Sequence, residues 1–176
     1  MEGMIWRERN VVAQEVCVNL ERTLGIHPLT ARLLALRELD APEQAARFLS
    51  PSWEDVPHPE TMKGMREACM RIAQALELGE RILIYGDYDV DGVTSTSLLY
   101  LFLLELGVTR SRLCTFIPHR VKHGYGLQKS CLPELLKQSC SLMITVDCGI
   151  SSVEEITLLQ KAGTDVIVLD HHQPPP

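Results

Sequence analysis

The rhythm of apolar and polar positions changes near residue 80. Before it, apolar residues recur at helical spacing in short runs. After it, continuous apolar runs of about five alternate with amphipathic stretches. HPLTARLLALREL (27–39) predicts a helix with Thr30 as its candidate cap. APEQAARFLS predicts a second, with Pro42 in its first turn, where a missing N–H is harmless. PSWEDVPHPE (51–60) holds three prolines and predicts an extended linker. In MREACMRIAQALELG, residues Met65, Cys69, Ile72, Ala73 and Leu76 share one face of a predicted helix that Gly79 stops.

From residue 82 the chain alternates strand and helix. ILIYG (82–86), RLCTFI (112–117), LMITV (142–146) and DVIVL (165–169) predict buried strands. Helices are predicted over 93–107, 130–138 and 151–163, the last with Ser-x-x-Glu capping signals at Ser151/Glu154 and Ser152/Glu155. Continuous apolar strands alternating with helices predict an α/β fold, a parallel sheet flanked by helices. The expected organisation is a small helical N-terminal segment and linker over 1–60 and the α/β part over 61–176.

Composition narrows the classes. Apolar residues make up 45% of the 176, enough for a sizeable core. The longest apolar run, LLYLFLL (98–104), ends at Glu105 and is too short to span a bilayer, so no membrane partner is expected. MEGMIWRERN has no long apolar stretch of a signal peptide. Six cysteines form no Cys-x-x-Cys pair, and several sit in apolar runs, where a thiol acts as a small hydrophobe; a reducing cytoplasm is expected. The net charge of −6 argues against a generally basic nucleic-acid binder. The charge is uneven, however. Residues 106–133 contain no acid but hold Arg110, Arg112, Arg120, Lys122, Lys129, His119 and His123. Such a patch steers a polyanion or is simply a solvated face.

The unusual polar residues follow the predicted strands. Asp87, Asp89 and Asp91 come after the first, His119, Arg120, Lys122 and His123 after the second, Asp147 after the third, and Asp170, His171 and His172 after the fourth. In an open parallel sheet, ligands bind just outside the carboxyl ends of the strands. Asp87 to Gly92 opens like an EF-hand loop, but the twelfth position, where a glutamate is needed, is Leu98. Asp89-Val90-Asp91-Gly92 resembles the D-x-D-G loop of haloacid-dehalogenase-like phosphatases, a reading that leaves the histidine pair unexplained. A two-metal site accounts for the whole set: carboxylates with imidazole suit manganese or magnesium. Five aspartates carry five negative charges, and two divalent ions return four. Gly124-Tyr125-Gly126 suggests a backbone that hugs its ligand and a tyrosine that stacks on a base, or else an exposed tight turn.

GDYDVDGVTST, TVDCGISS and VLDHHQPPP resemble motifs I, II and III of the DHH phosphoesterase superfamily. IPHRVKHGYGL and LSPSWEDVPHPETMKGMREA further resemble the RecJ single-strand-specific exonucleases, and the likeness covers nearly the whole chain. The resemblance implies that Asp89, Asp91, Asp147 and His171 are metal ligands, with Asp147 bridging two ions. It implies that His172 contacts the scissile phosphate, that Asp87 holds a metal directly or through water, and that Asp170 orients the imidazoles. Tyr85 stands where related enzymes often carry a histidine, which implies one ligand fewer on the first metal. Cys148 is assigned no chemistry. Gly92 is read as the turn into a helix that starts near Val93 and aims N–H groups at phosphate. Arg120, Lys122, His123, Gly124, Tyr125 and Gly126 are the expected nucleic-acid contacts.

The implied activity is 5′→3′ hydrolysis of single-stranded DNA with two ions of Mn2+ or Mg2+, in DNA repair and recombination. Single-stranded DNA is the implied partner, with a single-strand-binding protein or helicase as protein partners. Rival readings are a DHH enzyme acting on short oligonucleotides, cyclic dinucleotides or pyrophosphate, and a non-catalytic nucleic-acid-binding fragment. The chain ends directly after the third motif, where the family's domain continues to a fourth-motif aspartate and a second domain. The expectation is therefore an N-terminal portion of a longer protein.

Overall fold

A computed structural model describes residues 12–174, so the first eleven residues, with the MEGMIWRERN stretch read above, and the last two prolines lie outside the described residues. The chain divides into two compact units after Met62. The first holds α1 (Gln14–Leu24), α2 (Pro28–Ala35) and α3 (Pro42–Leu49), closed over Leu20, Ala31, Leu34, Ala35 and Ala45. α1 is not among the helices predicted above, although Val12, Val16, Leu20 and Leu24 recur four apart. α2 is capped by the residue before its proline: His27 Nδ1 accepts the Leu29 N–H at 3.2 Å, and Thr30 lies inside the helix. The proline-rich 51–60 stretch is not extended. It forms two 3-10 turns, Trp53–Asp55 and Pro59–Thr61, the first closed by a capping box between Ser52 and Asp55.

The second unit contains α4 (Met65–Glu77), β1 (Ile82–Gly86), α5 (Val90–Glu105), β2 (Leu113–Phe116), α6 (Leu132–Lys137), β3 (Leu142–Val146), α7 (Val153–Lys161) and β4 (Asp165–Leu169). The sheet is wholly parallel, in the order β2-β1-β3-β4. Every residue of β1 and β3 is buried, which is why both read as unbroken apolar runs. Alternate side chains serve two cores. Ile82, Ile84, Leu142, Ile144 and Val146 pack with Ala75 of α4 and Leu103 of α5. Leu83, Tyr85 and Met143 pack with Leu132 and Leu135 of α6 and Leu159 of α7.

Local details depart from the sequence pattern. The inner face of α4 is Met65, Ala68, Ile72, Ala75 and Leu76, while Cys69 and Ala73 are exposed. α7 has no side-chain cap: Ser152 Oγ donates to the Leu127 carbonyl and Glu154 pairs with Lys129. α5 starts at Val90, not Val93, with Asp89 as its N-cap. Gly92 is therefore inside the first helical turn, and its need is closeness rather than unusual dihedrals. A Cβ there would lie 2.5 Å from the Asp87 backbone nitrogen and nearer still to its carbonyl oxygen. Among the described residues no helix is long and apolar enough to cross a membrane.

Because backbone, not a flexible side chain, would meet that Cβ, Gly92→Ala is expected to lower stability by about 1–3 kcal/mol through overpacking. Denaturant unfolding of the two proteins checks this; an unchanged midpoint would show that the first turn of α5 has room to move.

Candidate metal centre

The strand register aligns the acidic residues. Gly86 is paired with Val146, and Val146 with Leu169, so the next residues, Asp87, Asp147 and Asp170, leave three adjacent strands at the same level. From β1 the chain passes to β2 on one side, while β3 lies on the other. β1 and β3 therefore flank the point where strand order reverses, the place where such sheets open a crevice.

Asp87 is 1% exposed, and both its carboxylate oxygens lack a hydrogen-bond partner among the described residues. A buried carboxylate without partners costs several kcal/mol unless a cation is near. Asp147 is also buried and holds a left-handed backbone, φ 62°, which aspartate tolerates better than most residues. Its Oδ1 lies 3.0 Å from His171 Nε2. Burial raises the Asp147 carboxyl above the ordinary range, and the hydrogen-bonded Asp89 carboxylate adds to this. Asp89 moves the other way. The Gly92 N–H, donated to its Oδ1 at 3.0 Å, holds it below the ordinary range. Asp89 is thus a helix cap with one oxygen and a neighbour of Asp147 as well. Asp91, exposed in the first turn of α5, raises Asp147 further through its charge.

Donor atoms of Asp147, His171 and His172 converge within 4.8 Å of one another. The two imidazole centroids are 4.4 Å apart. Asp170 orients one of them, not both: its Oδ1 is 2.7 Å from His172 Nδ1 and its Oδ2 accepts the Ile150 N–H at 3.0 Å. Burial works against ionising Asp170, but the N–H groups of Ile150 and His172 outweigh it and hold the carboxyl low. The hydrogen bond to Asp170 raises the His172 imidazole above the usual histidine value. A cluster of carboxylates and imidazoles around an orphaned buried charge fits divalent cations.

The 119–126 loop reaches this centre at two residues. The Tyr125 hydroxyl is 3.2 Å from His172 Nε2, and the Arg120 guanidinium lies 5.2 Å from the ring centre of Tyr88, between Asp87 and Asp89 in sequence. Lys122 is exposed. His123 turns inward instead, against Phe116, and its Nδ1 accepts the His119 N–H at 3.0 Å. Gly124 and Gly126 hold φ of 81° and 72° with open space around each, so they serve the turn and not a close backbone approach.

Tyr85 occupies no ligand position. Fully buried, it stacks on Phe116 at 5.4 Å, and its hydroxyl donates to the Gly126 carbonyl at 2.9 Å. The sequence signal for this anchor was a tyrosine inside an apolar strand, since a buried phenol needs a partner. Tyr88 under Arg120 carried no such signal. Cys148 is buried in the core, which pushes its thiol up to about 12.

Residues 81–176 match the DHH family, N-terminal domain. The chain is similar to the single-stranded-DNA-specific exonuclease RecJ of Bacillus subtilis, 43% identical over 93% of this chain and 20% of that protein. It is also similar to RecJ of Thermus thermophilus, 39% identical over 87% of this chain and 23% of that protein. A crystal structure of exonuclease RecJ bound to manganese superimposes with a TM-score of 0.61 at 42% identity, over 69% of this chain and 29% of that one. The Thermus thermophilus RecJ complex with Mn2+ gives 0.60 at 32% identity, over 93% and 22%. The chain thus spans under a third of the length of these relatives.

In metal-free protein, His172 is expected to titrate above an ordinary histidine. Asp170→Asn should lower that midpoint, because the neutral amide no longer favours the imidazolium. Proton NMR titration checks the shift, and the same midpoint in both proteins would remove Asp170 as its cause.

Proposed function

The chain belongs to the DHH family, and from that premise we propose that it carries the phosphodiester-hydrolysing centre of a RecJ-type exonuclease acting on single-stranded DNA. The observation that carries the reading is the convergence of Asp147, His171 and His172 beside the orphaned, buried Asp87, at the crevice between β1 and β3.

Asp89, Asp91, Asp147 and His171 would hold two divalent ions, and the buried Asp87 carboxylate would help balance their charge. The manganese complexes of the RecJ structures favour Mn2+ over Mg2+. When bound, the ions supply Lewis-acid stabilisation of charge developing on the phosphate and activation of the attacking water. The chain's own residues do the rest. The imidazolium form of His172, which the Asp170 carboxylate at Nδ1 favours, donates from Nε2 to a non-bridging phosphate oxygen. Arg120 and Lys122 neutralise neighbouring phosphates and hold the strand in place.

Residues 61–176 are proposed as the phosphoesterase part. Free cysteines and the absence of a bilayer-spanning helix among the described residues fit a cytoplasmic protein. A single-strand-binding protein or a helicase as partner is proposed on the family likeness alone.

Calorimetry with Mn2+ is expected to show binding that Asp147→Ala weakens by at least about tenfold, since even supporting residues of metal sites are worth that much. Equal binding by both proteins would sink the ligand assignment. Affinity for a single-stranded oligonucleotide should fall steeply with salt, and Arg120→Ala with Lys122→Ala should flatten the logarithmic slope by about 1–2. An unchanged slope would make the patch a solvated face. The function itself is tested by Mn2+-dependent release of mononucleotides from 5′-labelled single strands, beside duplexes and dinucleotides. Loss of that release in Asp91→Ala and His171→Ala is expected; turnover that survives both would place the chemistry elsewhere.

A further inference from the structure

The Tyr125 ring is half-exposed, yet its hydroxyl is committed. It lies 3.2 Å from Nε2 and 3.3 Å from Nδ1 of His172, a near-equal pair that sets it over the imidazole face rather than in line with either nitrogen, with the rings edge to face at 80° and centroids 5.9 Å apart. A base-stacking platform needs only a ring face. It has no use for a hydroxyl turned onto a histidine of the site.

The backbone that presents this hydroxyl is pinned on both sides. Gln128 Nε2 donates to the Tyr125 carbonyl at 2.6 Å, and the buried Tyr85 hydroxyl donates to the Gly126 carbonyl at 2.9 Å. At the edge of the His172 ring, Asp170 Oδ1 lies 2.7 Å from Nδ1 while its Oδ2 is held by the Ile150 N–H. An ionised carboxylate only accepts, so Nδ1 carries a proton. One hydrogen bond leaves an imidazole free to swing about the Nδ1···Oδ1 line. A second partner off that line removes the swing.

We infer that Tyr125 is a positioning residue for His172: its hydroxyl, set over the imidazole face, and the Asp170 carboxylate at Nδ1 hold the ring in one orientation and leave Nε2 to meet a ligand. The consequence for cleavage rests on His172 being the phosphate contact proposed above, whereas the hydrogen-bonded arrangement stands without it. The path runs Tyr85, Gly126, Tyr125, His172, Asp170, Ile150, so a tyrosine in the buried first strand sets where a site histidine points.

Tyr125→Phe keeps the ring and deletes only the hydroxyl, while Tyr125→Ala deletes both. Two readouts are taken on the full chain. The first is nitrogen-15 NMR of the His172 side chain in metal-free protein, which reports tautomer and ring mobility. The second is cleavage of, and affinity for, a single-stranded oligonucleotide with Mn2+. The expected result is that both variants move and broaden the His172 ring resonances alike. Both should lose roughly fivefold in cleavage, the scale of one lost hydrogen bond. A phenylalanine variant with wild-type His172 resonances overturns the inference. If it also keeps wild-type cleavage while the alanine variant loses affinity, Tyr125 is a stacking platform and the nuclease reading stands. Displaced His172 resonances in a protein that neither binds nor cuts single strands uphold the positioning role and reject the nuclease reading instead.

Discussion

Parallel pairing of three strands in one register forces like charges together. Gly86, Val146 and Leu169 sit side by side, so the residues that follow them have nowhere else to go. Moving any one of these carboxylates away means breaking ladder hydrogen bonds of a buried sheet. The Asp147 N–H itself continues that ladder, donating to the Leu169 carbonyl at 2.8 Å. The repulsion is built into the backbone, and only a counter-charge relieves it. This is the physical content of the orphaned Asp87 and, together with burial, of the raised Asp147 carboxyl.

Relief is prepared by the way α5 begins. Asp89 caps the helix through Oδ1 and its carboxylate also meets Asp147. That double use requires the first turn to lie almost on the backbone of Asp87, which is where Gly92 becomes necessary. Secondary-structure stability and site geometry therefore depend on the same few atoms. The helix start is fixed by a carboxylate that the site also needs, so neither can drift without the other.

The opposite wall of the crevice is tied down differently. It is a loop, with no ladder to hold it, and its order comes from side chains. Tyr85 anchors it from the core, Gln128 closes its turn, and Tyr125 meets His172. The Arg120 guanidinium over Tyr88 joins it to the aspartate loop. A flexible basic loop pays a large ordering cost when it grips a polyanion; one ordered in advance pays less.

Strands were legible in the sequence because buried parallel strands are unbroken apolar runs, and all four lie within a residue or so of their predicted ranges. The placement of Asp87, Asp147, Asp170, His171 and His172 at strand ends was equally legible, since it follows from chain order alone. Helix starts were not. Thr30, Ser152 and Val93 were reasonable cap or start positions by local chemistry, but His27, a serine bonded to Leu127, and Asp89 prevailed through contacts the local sequence does not encode. Cys69 and Ala73 shared a plausible apolar stripe, yet the sheet took the stripe rotated towards Ala68 and Ala75. Side-chain partners at the site also lay beyond reach. No pattern in the chain says that Tyr125, 47 residues before His172, points its hydroxyl there, or that the buried Tyr85 hydroxyl finds the Gly126 carbonyl. The sequence by itself determined which residue types gather at one edge of the sheet, because alternation and strand order are properties of the chain. Tertiary structure alone decided which of them touch, because hydrogen-bond partners are chosen by strand register and loop closure across distances that sequence spacing does not measure.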